Sequence, residues 1–140
     1  MTLALQIRAS SNSAFAIHAG ATDADPHGFT RILMDGALER LEEARERAQD
    51  GDTAVAGWLV ETAVLLIGEL RVDLDLHFGG PFAANIDDLY DYMGRRLGDC
   101  LPGAALLNGF AALHEVSHLL DALRSAWAFM PAEVRSATRN

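Results

Sequence analysis

Residues 68–97 read GELRVDLDLHFGGPFAANIDDLYDYMGRRL, and the break at Gly79-Gly80-Pro81 inside this stretch decides how the chain folds. Upstream of the break, Val55, Trp58, Leu59, Thr62, Leu65, Leu66, Leu70 and Leu74 recur in steps of three and four, the spacing of a helix with an apolar face. Downstream, Ile86, Leu89, Tyr90, Met93, Leu97 and Cys100 keep the same period. Paired glycines end a helix readily, and proline tolerates the first position of the next, where its missing N–H would have no intrahelical partner anyway. Two helices therefore run into one another through a short break.

Working outward, Asp25-Pro26 begins an earlier helix, because Asp accepts from the free amides of a new helix and Pro suits its first position. It extends to about Asp50, where Gly51 stops it and Asp52 can cap its successor. Phe29, Ile32, Leu33, Gly36, Ala37, Leu41, Ala44 and Ala48 form its apolar stripe, and Glu39, Arg40, Glu42, Glu43, Arg45, Glu46 and Arg47 occupy the remainder. On the other side, Pro102-Gly103 breaks the third helix. A fourth presents Leu106, Phe110, Leu113, Val116, Leu120, Leu123, Trp127 and Met130 before Pro131 closes it. No segment alternates with period two for long enough to make a strand. Four amphipathic helices with short connections predict an all-α, antiparallel up-down four-helix bundle over residues 25–131. Residues 1–24, punctuated by Ser10-Ser11-Asn12-Ser13 and Gly20-Ala21-Thr22, read as a mobile or short-helical amino-terminal arm, and 132–140 as a tail.

Composition narrows the function. At 140 residues and half apolar, the chain suits one folded domain. Its 11 basic residues, all Arg, face 20 acidic ones, giving a net charge of −9 and a pI near 4.8, a field that repels nucleic acid. Cys100 is the single cysteine, so neither an internal disulfide nor a C-x-x-C metal or redox pair is available, as befits a reducing cytoplasm. The first residues lack a basic start followed by an apolar run and do not read as a secretory signal. The longest strongly apolar run, residues 63–67, falls far short of the roughly 20 residues of a membrane span, so no membrane insertion is expected.

One motif invites a catalytic reading. Residues 114–118 are His-Glu-Val-Ser-His, the H-E-x-x-H pattern in which two histidines one turn apart hold zinc and the glutamate activates water. A third ligand is also required, and only Asp121 or Glu133 could serve, neither with supporting context. At about 100° per residue, His114 and His118 fall some 140° from the stripe through Leu113, Val116, Leu120 and Trp127, toward solvent or a rim. They are read as surface histidines, and His18, His27 and His77 as solvated or capping groups near helix ends. No G-x-S-x-G turn and no glycine-rich phosphate loop is present.

A longer series of motifs points elsewhere. Residues 24–46 read ADPHGFTRILMDGALERLEEARE, the hairpin quoted above follows, and 112–130 read ALHEVSHLLDALRSAWAFM. Together they resemble the flagellin-specific export chaperone family, FliS. That family carries a D-G-A-L segment after a helix-starting proline, then an L-R-x-x-L-D, G-G, A-x-N, L-Y-D-Y-M, R-R-L series, then an E-V-x-x-L-L-x-x-L-R-x-A-W ending. The resemblance covers residues 24–130 and departs from the family at Met34, where a Tyr is usual, and in an arm that has no Tyr.

The resemblance implies a cytoplasmic helical bundle without catalysis or cofactor. It would bind the carboxy-terminal segment of flagellin, keep it from polymerising early, and deliver it to a component of the type III export gate. Burying on the order of 2,000 Å² of apolar surface would give about 50 kcal/mol gross, most of it cancelled by ordering and association. On this reading Ile32, Leu33, Leu59, Leu66, Leu70, Ile86, Leu89, Tyr90 and Met93 line the client groove, and Tyr92 is an exposed contact. Tyr90 and Tyr92 cannot share a face, being two positions apart. Leu5, Ile7, Phe15 and Ile17 of the arm would cover the groove when it is empty. Competing readings are a small zinc hydrolase built on His114, Glu115 and His118, and a helical adaptor for a client other than flagellin.

Overall fold

The computed structural model describes residues 26–101 and 110–129. Among them run four helices and no strand: α1 (Pro26–Gln49), α2 (Thr53–His77), α3 (Gly80–Gly98) and α4 (Ala111–Ala128). The arm residues Leu5, Ile7, Phe15 and Ile17, the expected helix-four positions Leu106 and Met130, and the tail lie outside the described residues.

Local chemistry sets the breaks. Gly51 adopts φ 83°, its N–H bonds to the Ala48 carbonyl at 3.0 Å, and Asp52 N–H bonds to the Arg47 carbonyl at 2.9 Å. These are the paired bonds by which a left-handed glycine closes a helix. Asp52 then caps α2, its carboxylate accepting from the Val55 amide at 3.4 Å. At the next break Phe78 and Gly79 are extended and Gly80 takes φ 72°, which a residue with a Cβ rarely adopts. Pro81 occupies the first turn of α3.

Helices adjacent in sequence pack side by side, and α1 also packs on α4, so the four close into a ring. Thr30 near the start of α1 meets Asp73 near the end of α2, and Arg71 of α2 forks onto Asp87 near the start of α3 at 2.8 and 3.0 Å. Arg96 late in α3 reaches Glu115 early in α4, and Arg124 late in α4 reaches Asp35 early in α1. Every neighbouring pair is thus antiparallel, the expected up-down arrangement. Leu33, Met34, Leu41, Leu59, Leu66, Leu70, Met93, Leu97, Leu113 and Leu120 fill the interior. Trp127 anchors one end, its indole stacked on His27 (5.3 Å, 9° between planes) and in a T-shaped contact with Phe78 at 5.0 Å, and its N–H directed at the His27 carbonyl.

Two residues depart from their expected faces. Arg40, grouped with the solvated charges, is buried, since it stands three positions from Ala37 and four from Ala44 on the inward side. Leu65, grouped with the core, is 67% exposed.

Asp73 is the one carboxylate buried in the interior among the described residues, held by the hydroxyl that Thr30 donates to Oδ2. Its Oδ1 has no hydrogen-bond partner and lies 3.6 Å from His77 Nε2. Burial pushes the Asp73 carboxyl above its ordinary range, against the opposing pull of Thr30 and His77, while burial and the nearby Asp73 charge push the Tyr90 phenol up. The folded chain therefore holds the Asp73 proton to higher pH than the unfolded chain does. Stability contributed at this site is largest below the unfolded carboxyl value and is lost as pH rises through the raised folded value. Asp73→Asn keeps an acceptor for Thr30 and should flatten that slope, as read by urea midpoints across pH 4 to about 7. Thr30→Val, which leaves the buried charge without its donor, should cost about 2 kcal/mol at neutral pH.

Candidate functional site

α2 differs from its neighbours in being apolar on more than one side. Leu59, Ala63, Leu66, Leu70 and Leu74 face the interior, while Leu65, Val72 and Leu76 point outward, 67%, 53% and 59% exposed. Their spacing of seven and four residues keeps them within about 20° of one line along the helix, and the half-buried Trp58 extends that line one heptad toward the start of α2. Glu61 and Glu69 border it, both exposed and neither in an ion pair among the described residues. The helix holds an 18-residue window of mean hydropathy 1.5, long and apolar enough by composition to cross a membrane, and half of that window is buried in the bundle. The run at residues 63–67 understates this surface, because Val72 and Leu76 continue it past Glu69 and Arg71.

The residues expected to line a groove divide by burial. Leu33, Leu59, Leu66, Leu70, Tyr90 and Met93 are no more than 1% exposed and belong to the bundle's own core. Ile32, Ile86, Leu89 and Tyr92 are half-buried, with Ile86 and Leu89 packed against that core. A stripe at helical spacing identifies an inward face, and in a ring of four helices that face is filled by the neighbours. Val72 and Leu76 escaped the sequence reading, although their positions seven and eleven residues after Leu65 were available to it. The apolar excess of α2 was the signal that could have found them.

The motif positions inherited from the resemblance form a network at the helix seams. Arg71 bridges Asp87 and Asp91, and Asp91 also accepts from Arg95. Arg124 joins Asp35 to Asp121, while Asn85 is exposed. Between α1 and α4 lies a shallow groove, floored by Leu38 and walled by Arg31, Asp35, Arg124 and the exposed Phe129.

The glutamate of the His-Glu-x-x-His motif is tied into the seam between α3 and α4. Glu115 accepts from Tyr92 Oη at 2.8 Å and from Arg96 Nε at 2.7 Å, which hold its carboxyl below the ordinary range, Arg96 contributing most. His114 and His118 stand exposed toward the α1 side of α4, beside Ser117 and Asp121, and no group of three candidate metal ligands occurs among the described residues. Glu133 is outside them. A carboxylate engaged by a guanidinium and a phenol fastens α3 to α4 and is a poor base. Because its folded value is lowered, the stability it contributes is present at neutral pH and is lost as pH falls through that value. Glu115→Gln should therefore lower the urea midpoint at pH 7 and match the parent at acid pH, whereas His114→Ala should leave it unchanged.

Comparison with known proteins agrees with this arrangement. Residues 9–134 match the family model described as flagellar protein FliS. The chain is 40% identical over 112 residues to the flagellar secretion chaperone FliSB of Pseudomonas aeruginosa, covering 80% of this chain and 86% of that protein. It is 36% identical over 113 residues to the flagellar secretion chaperone FliS of Salmonella typhimurium, covering 80% and 81%. With the Vibrio cholerae protein of the same name it shares 33% over 115 residues, 82% of each. A family match over residues 9–134, with relatives up to 40% identical over about four-fifths of the chain, establishes that this chain belongs to the FliS family.

Proposed function

We propose that this protein is a cytoplasmic flagellar secretion chaperone that binds the carboxy-terminal helical segment of flagellin, prevents its premature polymerisation and hands it to the export gate. The observation that carries this reading is the outward apolar line of α2, Leu65, Val72 and Leu76, on a helix whose opposite face already fills the core. Apolar surface beyond what a bundle uses for itself is what a helix-in-groove partner needs. A net charge of −9 keeps such a surface soluble while it is unoccupied.

The client contacts are assigned to Leu65, Val72 and Leu76, with the half-buried Ile86, Leu89 and Tyr92 on α3 and Ile32 on α1 as edges that an extended client can reach. Leu33, Leu59, Leu66, Leu70, Tyr90 and Met93 support the site from beneath. A segment that orders on binding must cover a large area to gain affinity, so the client is expected to wrap over several helices. No cofactor takes part in this mechanism.

Co-purification tests the reading. Flagellin should be retained by this protein and lost when its carboxy-terminal segment is deleted, and retention that ignores the deletion would make the protein an adaptor for another element.

A further inference from the structure

Gly68 sits in the middle of α2, exposed, in ordinary helical conformation, and a Cβ built there would meet, among the described residues, no atom within 4 Å beyond its own stretch of helix. Glycine inside a helix lowers its stability relative to alanine, and no packing among the described residues requires the bare backbone at this position. Gly36 is different, since a Cβ there would come 3.5 Å from Leu66 Cδ1 in the interior. Gly68 lies three residues after Leu65 and four before Val72, beside the outward apolar line.

Glu61 and Glu69 flank the same line, about 40° to either side of Leu65 at 100° per residue. The surface is therefore an apolar strip between carboxylates, with a notch where another backbone can come close. A second copy of this chain is a poor occupant, because a two-fold pairing centred on Leu65 would gather four carboxylates, Glu61 and Glu69 of each copy, around one apolar strip.

Resting on the chaperone reading above, we infer that α2 selects a client helix whose apolar stripe is bordered by Lys or Arg, and that this helix crosses α2 in close contact at Gly68. The apolar side chains seat on Leu65, Val72 and Leu76, the cationic borders pair with Glu61 and Glu69, and the missing side chain at Gly68 sets the depth of approach.

Two variants test this by calorimetric titration with a synthetic peptide covering the carboxy-terminal helical segment of the cognate flagellin. Gly68→Ala should raise the midpoint of thermal unfolding of the free protein by about 3 to 5 °C and weaken peptide binding about tenfold, opposite movements that a purely structural glycine would not give. Glu61→Gln with Glu69→Gln should weaken binding several-fold at low salt and remove most of its dependence on ionic strength. Binding that is tight in the parent and unchanged in both variants overturns the inference while leaving the chaperone reading in place. No binding by the parent removes both.

Discussion

A chain carrying Leu65→Gln, Val72→Gln and Leu76→Gln together is expected to fold as the parent does and to bind the flagellin carboxy-terminal peptide at least about a thousand-fold more weakly. The three side chains point into water, so replacing them removes no contact of the core, and glutamine is a good helix former. In the complex each would be buried, at about 1.5 kcal/mol or more apiece, and about 4 kcal/mol in sum is a factor of a thousand. Helical circular dichroism and a urea midpoint establish that the fold survives, and titration calorimetry reads the affinity. A variant that binds within tenfold of the parent would move the client to another face. The glutamine series leaves Glu61, Gly68 and Glu69 untouched, so the apolar contribution is read separately from charge and depth of approach.

The largest effect on stability is expected at the closed end of the bundle. Trp127→Ala should cost about 3 to 5 kcal/mol, because a side chain only 1% exposed leaves a cavity bounded by His27 and Phe78. That indole joins the start of α1, the end of α2 and the end of α4, so its loss frees three helix termini at once. Trp58, the other of the two tryptophans, remains to report unfolding by fluorescence in the variant. A cost below about 1 kcal/mol would mean that α4 is held chiefly by Leu113, Val116 and Leu120.

Much of this architecture was legible in the sequence, for reasons that are local. Gly51 followed by Asp52, and Gly79-Gly80-Pro81, fix their breaks through backbone dihedrals and missing amides, and these act over a few residues. The separation of Tyr90 from Tyr92 likewise follows from helical geometry: the first is buried, and the second bonds to Glu115. The functional surface was harder to read because α2 is apolar on two faces, and periodicity alone cannot tell which one the neighbours cover. Leu65 and Leu66 are adjacent in sequence and nearly opposite in environment, 67% and 0% exposed. The partners that occupy Glu115 lie 19 and 23 residues away, so the five-residue motif around it carried no sign of them. Arg40 and Asp73 show the same limit for buried charge, since each sits where tertiary packing, not its own chemistry, places it.

On the proposed function the client rests on the outside of α2 while the interior stays closed. Methyl NMR of the Leu, Val and Ile side chains during titration with the flagellin peptide tests it residue by residue. Large shifts are expected at Leu65, Val72 and Leu76, smaller ones at Ile86 and Leu89, and nearly none at Leu59 and Leu66. Shifts confined to Leu38 and Leu123 beside α1 and α4, with Leu65, Val72 and Leu76 unmoved, would contradict it.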